Sequence, residues 1–162
     1  MAGIIGTALL FIGPSYVANA APLVFGGGRP LDGGRNFKDG RPIFGAHKTI
    51  RGFTAGVVAG SLVGLGESLV DPRMALAGLA ISLGAVLGDL LGAFVKRRLD
   101  MKPGRPLPVV DQLDFVIGAL VFSSSLFPMT WLSVLIVVAV TPPIHLATNL
   151  GAYLLGIKKT YW

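Results

Sequence analysis

The chain has 162 residues, of which 52% are hydrophobic and 14% charged, with a net charge of +6 and a mean hydropathy of +0.71. Soluble domains average about 25% charged residues, so this composition excludes an ordinary soluble domain and indicates a polytopic membrane protein, whose cations flank apolar runs as topology signals rather than marking a nucleic-acid partner. The absence of Cys excludes disulfide scaffolds, thiolate metal sites and Cys nucleophiles, which leaves Asp, Lys, Arg, His and Asn for any chemistry.

Five apolar runs follow one another. Residues 2–25 hold no charged side chain, and at about 1.5 Å per residue they suffice for one tilted span. The second run, 53–70, carries Glu67 near its far end and closes in the turn Asp71-Pro72-Arg73. The third, 74–95, encloses Asp89. The fourth and fifth, 113–127 and 131–157, are parted by Pro128-Met129-Thr130, and the fourth is at the lower limit for crossing. No repeat is evident, so the expectation is an all-α membrane protein of five transmembrane helices in a single domain, residues 1–162.

Orientation follows from the cations. Six lie between Gly26 and Gly52, five between residues 96 and 112, and Lys158 and Lys159 in the tail, leaving Arg73 alone on the other side of a five-span chain. The positive-inside rule then predicts the N-terminus outside, the C-terminus cytoplasmic and two long cytoplasmic loops. The first run lacks a basic leader, so no cleavage is expected.

Glycines recur at i+4 in the second run (Gly52, Gly56, Gly60, Gly64) and in the third (Gly84, Gly88, Gly92). This spacing lets backbones approach closely and predicts a tight hairpin of these two helices.

Only eight acids occur in the chain. An ionised group inside a span costs at least about 2.5 kcal/mol, so Asp89 needs a partner or a function. It stands seven residues before Lys96, about 10 Å deeper on a similar helix face. Asp111 and Asp114, at i and i+3, share a face at the start of the fourth run. Two readings are open. In one, Asp89 pairs with Lys96 or Arg51, and Asp111 or Asp114 caps the fourth helix. In the other, Asp89, Asp111 and Asp114 are hard oxygen ligands for Mg²⁺, ringed by Lys and Arg that neutralise a polyphosphate, a combination suited to nucleotidyl transfer.

The first loop, rich in Gly, Arg and Lys, either gathers phosphate through its amides and cations or is an ordinary basic loop. It is not a Walker A motif, because Ala46-His47 separate Gly45 from Lys48-Thr49.

Lys48-Thr49-x-Arg51-Gly52 opening a span, then Gly88-Asp89-Leu90, Lys96-Arg97, Lys102 and Asp111-Gln112-Leu113-Asp114, together resemble the CTP-dependent phosphatidate cytidylyltransferases, the CDP-diacylglycerol synthases. Asn19-x-x-Pro22 and the string Lys96 to Gly104 are similar to the archaeal branch, the CDP-archaeol synthases. Departures are Ala93, Pro103 and Gln112, where the bacterial pattern has Ser, Asp and Arg. The resemblance implies transfer of CMP from CTP to the phosphate of the isoprenoid ether lipid 2,3-bis-O-geranylgeranylglycerol 1-phosphate, with release of pyrophosphate and Mg²⁺ as cofactor. It implies metal ligands Asp89, Asp111 and Asp114. It further implies catalytic Lys96 and phosphate or nucleotide contacts from Asn19, Lys48, Thr49, Arg51, Gly52, Arg97 and Lys102. The lipid tails would stay in the bilayer, and the active site of this cell-membrane enzyme would face the cytoplasm.

His47, beside Lys48, is read as a phosphate contact or a solvated loop residue, and His145, after Pro142-Pro143, as structural. Glu67 is expected to face Arg73 or the interface, and Trp131, Tyr161 and Trp162 to anchor at the interface. The rivals are a small transporter or channel using Asp89 and His145, and a scaffold that binds acidic lipids through its basic loops.

Overall fold

The structure is a computed structural model that describes residues 3–101 and 105–157. Among these residues it has five helices: α1 (Ile4–Phe25), α2 (Ile50–Glu67), α3 (Met74–Arg98), α4 (Val110–Ser123) and α5 (Trp131–Leu154). By length and composition α1, α3 and α5 can each cross a membrane. Glycine-diluted α2 and α4, with its 14 residues, do not meet that measure on their own.

The boundaries have local causes. Helix α2 begins three residues before the expected run because Thr49 Oγ1 accepts the Gly52 N–H at 3.1 Å and caps it. Helix α3 continues past residue 95 through Lys96-Arg97-Arg98, whose charges suit the negative end of a helix dipole. Helix α5 starts at Trp131 as expected, capped by Thr130 accepting from Ser133 N–H at 3.2 Å.

The expected α2–α3 hairpin forms, but its glycine pattern is shared differently from the sequence reading. Gly52, Gly56, Gly60 and Gly64 are all buried. A Cβ at Gly56 or Gly60 would strike the backbone of Ala18 or Pro14 in α1 together with Val86 or Ser82 in α3, and one at Gly64 would strike Gly78. The α2 stripe thus sits in a groove between two helices, and its α3 partners are Gly78 and Ser82. Gly84, Gly88 and Gly92 face the other way, against Gly118 and Asp114 of α4. Helix α3 is therefore the central element, with small residues on two opposite faces.

Helix α5 joins through side chains. Tyr16 donates to Thr141 Oγ1 at 2.8 Å, and Ser133 donates to the Ile4 carbonyl at 3.1 Å. Phe11, Ile81, Phe115, Val116 and Val137 form the buried centre, while Ile5, Leu62, Leu76, Leu91, Val121 and Leu135 are exposed around the bundle. An apolar exterior over a small-residue interior is the distribution expected of helices solvated by lipid.

At one end the connections are short turns. Here Arg73 pairs with Asp71 at 2.6 Å and lies 5.2 Å over the Phe127 ring. Of the two placements expected for Glu67, against Arg73 or at the interface, the first does not form. Glu67 instead packs against Gly13 of α1, and its Oε2 is buried without a hydrogen-bond partner among the described residues. The opposite end carries the loop 26–49 and the described parts of the second connection, 99–101 and 105–109. Lys102 lies outside the described residues, as do Lys158, Lys159, Tyr161 and Trp162.

Candidate active site

At the loop end, a cavity of about 300 Å³ opens between α1, α3, α4 and α5 and the two connections. Helix α1 contributes Asn19, the first loop Phe44, Gly45, His47 and Lys48, and α3 Asp89, Lys96 and Arg97. The second connection adds Pro106 to Pro108, α4 adds Asp111, Gln112 and Asp114, and α5 adds His145 and Asn149. Seven of the expected site residues thus line one space: Asn19, Lys48, Asp89, Lys96, Arg97, Asp111 and Asp114.

Two ion pairs divide the cavity wall. Lys48 Nζ lies 2.6 and 2.5 Å from the two Asp89 oxygens. Lys96 Nζ lies 2.9 Å from both Asp111 oxygens. One of the two readings left open by the sequence paired Asp89 with Lys96 or Arg51; the loop supplies its partner instead, and exposed Arg51 stands apart from the cavity. Asp111 does not cap α4 through that helix's own N–H groups. It accepts from Leu107 N–H at 2.9 Å and so ties the Pro-rich approach to the helix. That approach passes through Val109 at φ +69°, a strained conformation for a β-branched residue.

No described lysine forms an ion pair with Asp114, although Lys48 lies within electrostatic range. Its Oδ1 accepts from Phe115 N–H at 2.6 Å, and its carboxylate lies against Gly92, where a Cβ would collide with it. Glycine at 92 therefore gives the carboxylate its place between α3 and α4. Asp114 lies within electrostatic range of both Asp89 and Asp111.

Arg97 is 6% exposed, and its Nε is buried with no hydrogen-bond partner among the described residues. An unsatisfied guanidinium donor on a cavity wall is poised for an anion. A Cβ on Gly45 would stand 3.9 Å from Arg97 Cδ and Nη1, so the loop backbone lies over this side chain. Thr49 and Gly52 line a second space of about 50 Å³ behind the Lys48–Asp89 pair.

The loop itself is organised by Asp32. Its carboxylate accepts from Gly34 N–H at 2.9 Å, Phe44 N–H at 2.9 Å and Gly45 N–H at 3.1 Å. Burial alone would raise the Asp32 carboxyl, but these donors outweigh it and hold it below its ordinary 3.8. The base of the loop is closed by Leu31 N–H to the Lys48 carbonyl at 2.7 Å and Ile50 N–H to the Arg29 carbonyl at 3.1 Å.

Sequence reading missed Phe44, Gly45, Gln112 and Asn149, and it set His145 aside. His145 and Asn149 stand one helical turn apart, with Nδ1 and Nδ2 at 3.2 Å, and His145 stacks on Phe115. Two polar residues at i and i+4 inside an apolar run were a legible signal.

Among the described residues no three His, Asp or Glu groups stand close enough to hold one ion. The donor set nevertheless suits Mg²⁺, which binds through one or two carboxylates and completes its shell with water and phosphate oxygens. Asp89, Asp111 and Asp114 supply hard oxygen, and Lys48 and Lys96 are paired with the first two of them.

A family model described as CarS-like: CDP-archaeol synthase matches residues 1–162. The CDP-archaeol synthase of Methanopyrus kandleri is 46% identical over 163 aligned residues, covering 98% of this chain and 94% of the relative. That of Aeropyrum pernix is 47% identical, covering 96% and 91%. A solved structure described as an intramembrane enzyme for archaeal membrane lipids biosynthesis superposes with a TM-score of 0.84 at 43% identity, over 91% of this chain and 94% of that one. Matched along its whole length and in three dimensions, the chain belongs to the CDP-archaeol synthase family, transferases of archaeal membrane-lipid synthesis.

Proposed function

We propose that this membrane protein transfers CMP from CTP to the phosphate of an unsaturated isoprenoid ether lipid, 2,3-bis-O-geranylgeranylglycerol 1-phosphate, and releases pyrophosphate. The observation that carries this reading is the meeting of two unlike spaces at Asp114. On one side is the charged cavity. On the other is an apolar groove of about 470 Å³ between α3 and α4, lined by Leu91, Val95, Leu113, Ile117 and Val121, with Asp114 at its polar edge. A lipid lying in that groove brings its phosphate to the carboxylates while its chains stay in the bilayer.

Asp89 and Asp111, with Asp114, would hold Mg²⁺, which when bound supplies charge neutralisation to the triphosphate. The chain's own residues do the rest. Arg97 donates to phosphate oxygens, and Lys48 and Lys96 exchange their carboxylates for them. The lipid phosphate oxygen attacks the α-phosphorus of CTP, forming the new P–O bond as the α–β anhydride breaks and pyrophosphate leaves. Because the nucleophile is an anion near neutral pH, no general base is needed, and the rate gain comes from orientation and electrostatics. The loop end, which bears the described cations other than Arg73, faces the cytoplasm across a five-span bundle. The transporter alternative finds no support in the family.

Purified protein in detergent, given CTP, Mg²⁺ and the ether-lipid phosphate, should release pyrophosphate only when lipid is present. Asp89→Asn and Asp111→Asn should abolish release while remaining folded. Release without lipid, or full activity in both variants, overturns the reading.

A further inference from the structure

The loop that brings Gly45, His47 and Lys48 to the cavity is fastened from outside the cavity by Arg98. Helix α3 turns by about 100° per residue, so consecutive arginines point in different directions. Arg97 goes into the cavity; Arg98 goes to the loop. The Arg98 guanidinium lies 4.9 Å from the Phe37 ring centroid and 4.7 Å from that of Phe94, and the two rings meet edge to face at 5.3 Å. Its Nη2 donates to the carbonyls of Arg41 at 3.2 Å and Pro42 at 2.6 Å, and its Nε is 3.2 Å from the Asp39 carboxylate. Arg41 answers by donating from Nη1 to the Arg98 carbonyl.

No other described contact ties residues 37–42 to a helix as densely. From this anchor the chain runs two residues to Phe44 and Gly45, whose N–H groups are held by Asp32, and then to Lys48 on Asp89. A glycine-rich loop ordered in this way has surrendered its entropy before ligand arrives, which favours binding.

We propose that Arg98 is a positioning residue that sets the affinity for CTP by stapling the first loop over the cavity through Phe37, Phe94 and the 41–42 carbonyls, without touching substrate. This rests on the cytidylyl-transfer reading above.

The test uses the absence of Cys in the chain. A nitroxide on Ala46→Cys, an exposed position between Gly45 and His47, is then the one label, and kinetics are measured on unlabelled protein. Arg98→Leu should sharpen the nitroxide spectrum and raise KM for CTP by about five- to twentyfold, with kcat within about twofold, as loss of a charge-assisted, ring-stacked anchor remote from chemistry requires. Arg98→Lys, which keeps the cation but loses the two-carbonyl fork, should fall between. Phe37→Ala, at an exposed ring, gives the same readouts if Arg98→Leu does not purify. A label as immobile as in wild type, or a fall in kcat at unchanged KM, overturns the staple alone. A wild-type protein that consumes no CTP overturns the transfer reading beneath it.

Discussion

Lys48 and Asp89 meet across 41 residues of chain, the Nζ of one 2.5 Å from the carboxylate of the other, with 29% and 27% of the two side chains exposed. The pair is the point where the loop is latched onto α3, and its partial exposure leaves it open to exchange with an incoming anion. Asp89→Asn is expected to lower kcat/KM at least about a hundredfold, and Lys48→Ala about ten- to a hundredfold. Because both act in one unit, the double variant should be no worse than Asp89→Asn alone. Steady-state pyrophosphate release on the four proteins measures this; additive losses would show that the two residues act separately.

The glycine seams give a prediction about packing. Gly64 touches Gly78 so closely that no Cβ fits on either, whereas nothing lies within 4 Å of where a Cβ would stand on Gly66. Gly64→Ala should destabilise the bundle by about 1–3 kcal/mol, while Gly66→Ala, in the same helix, should be neutral or gain up to about 1 kcal/mol from helix propensity. Thermal melts in one detergent compare them directly.

These seams also show what the sequence could and could not reveal. The five helices, the glycine spacing and the acids at 89, 111 and 114 were legible because period and charge are local properties. The partners were not. Gly88 and Gly92 have the same i+4 signature as Gly60 and Gly64, yet they face Asp114 and α4 because α3 lies between two neighbours, and no spacing states which face meets which helix. The loop was harder still. Asp32, Phe37 and Arg98 carry no periodic or charge-pattern signal of their own, and only contacts across 12 to 61 residues make them parts of one scaffold.

Gly92 yields a sharper case, since the atom a methyl would meet there is a carboxylate of the site rather than core. Gly92→Ala should push Asp114 from its place and reduce turnover by about tenfold or more, as small displacements at a reacting centre do, with a smaller effect on melting than Gly64→Ala. Equal losses of activity in the two variants at matched stability would remove the special role of this position.

The Asp32 carboxyl, held below 3.8 by loop N–H groups in spite of its burial, carries a pH signature. A group whose folded value is depressed contributes stability that is intact above the unfolded value and lost as pH falls through the folded one. Loop order should therefore persist down to about pH 4 and decline below it. Asp32→Asn, which replaces an acceptor oxygen by a donor facing N–H groups, should loosen the loop at neutral pH and flatten that acid limb. Nitroxide spectra of Ala46→Cys protein between pH 3 and 7 read both effects.

The α3–α4 groove separates lipid from nucleotide recognition. Leu91 is 63% exposed and Val121 65% exposed, and both line the groove, so larger side chains there fill space without invading the core. Leu91→Trp should raise KM for the ether-lipid phosphate about tenfold, since a buried chain contributes about 0.8 kcal/mol per methylene, while KM for CTP stays within about twofold. Trp at Leu62, an equally exposed position on α2 away from the groove, should leave both unchanged. If Leu91→Trp and Leu62→Trp behave alike, the lipid enters elsewhere, and Asp114 loses its place as the junction of the two substrates.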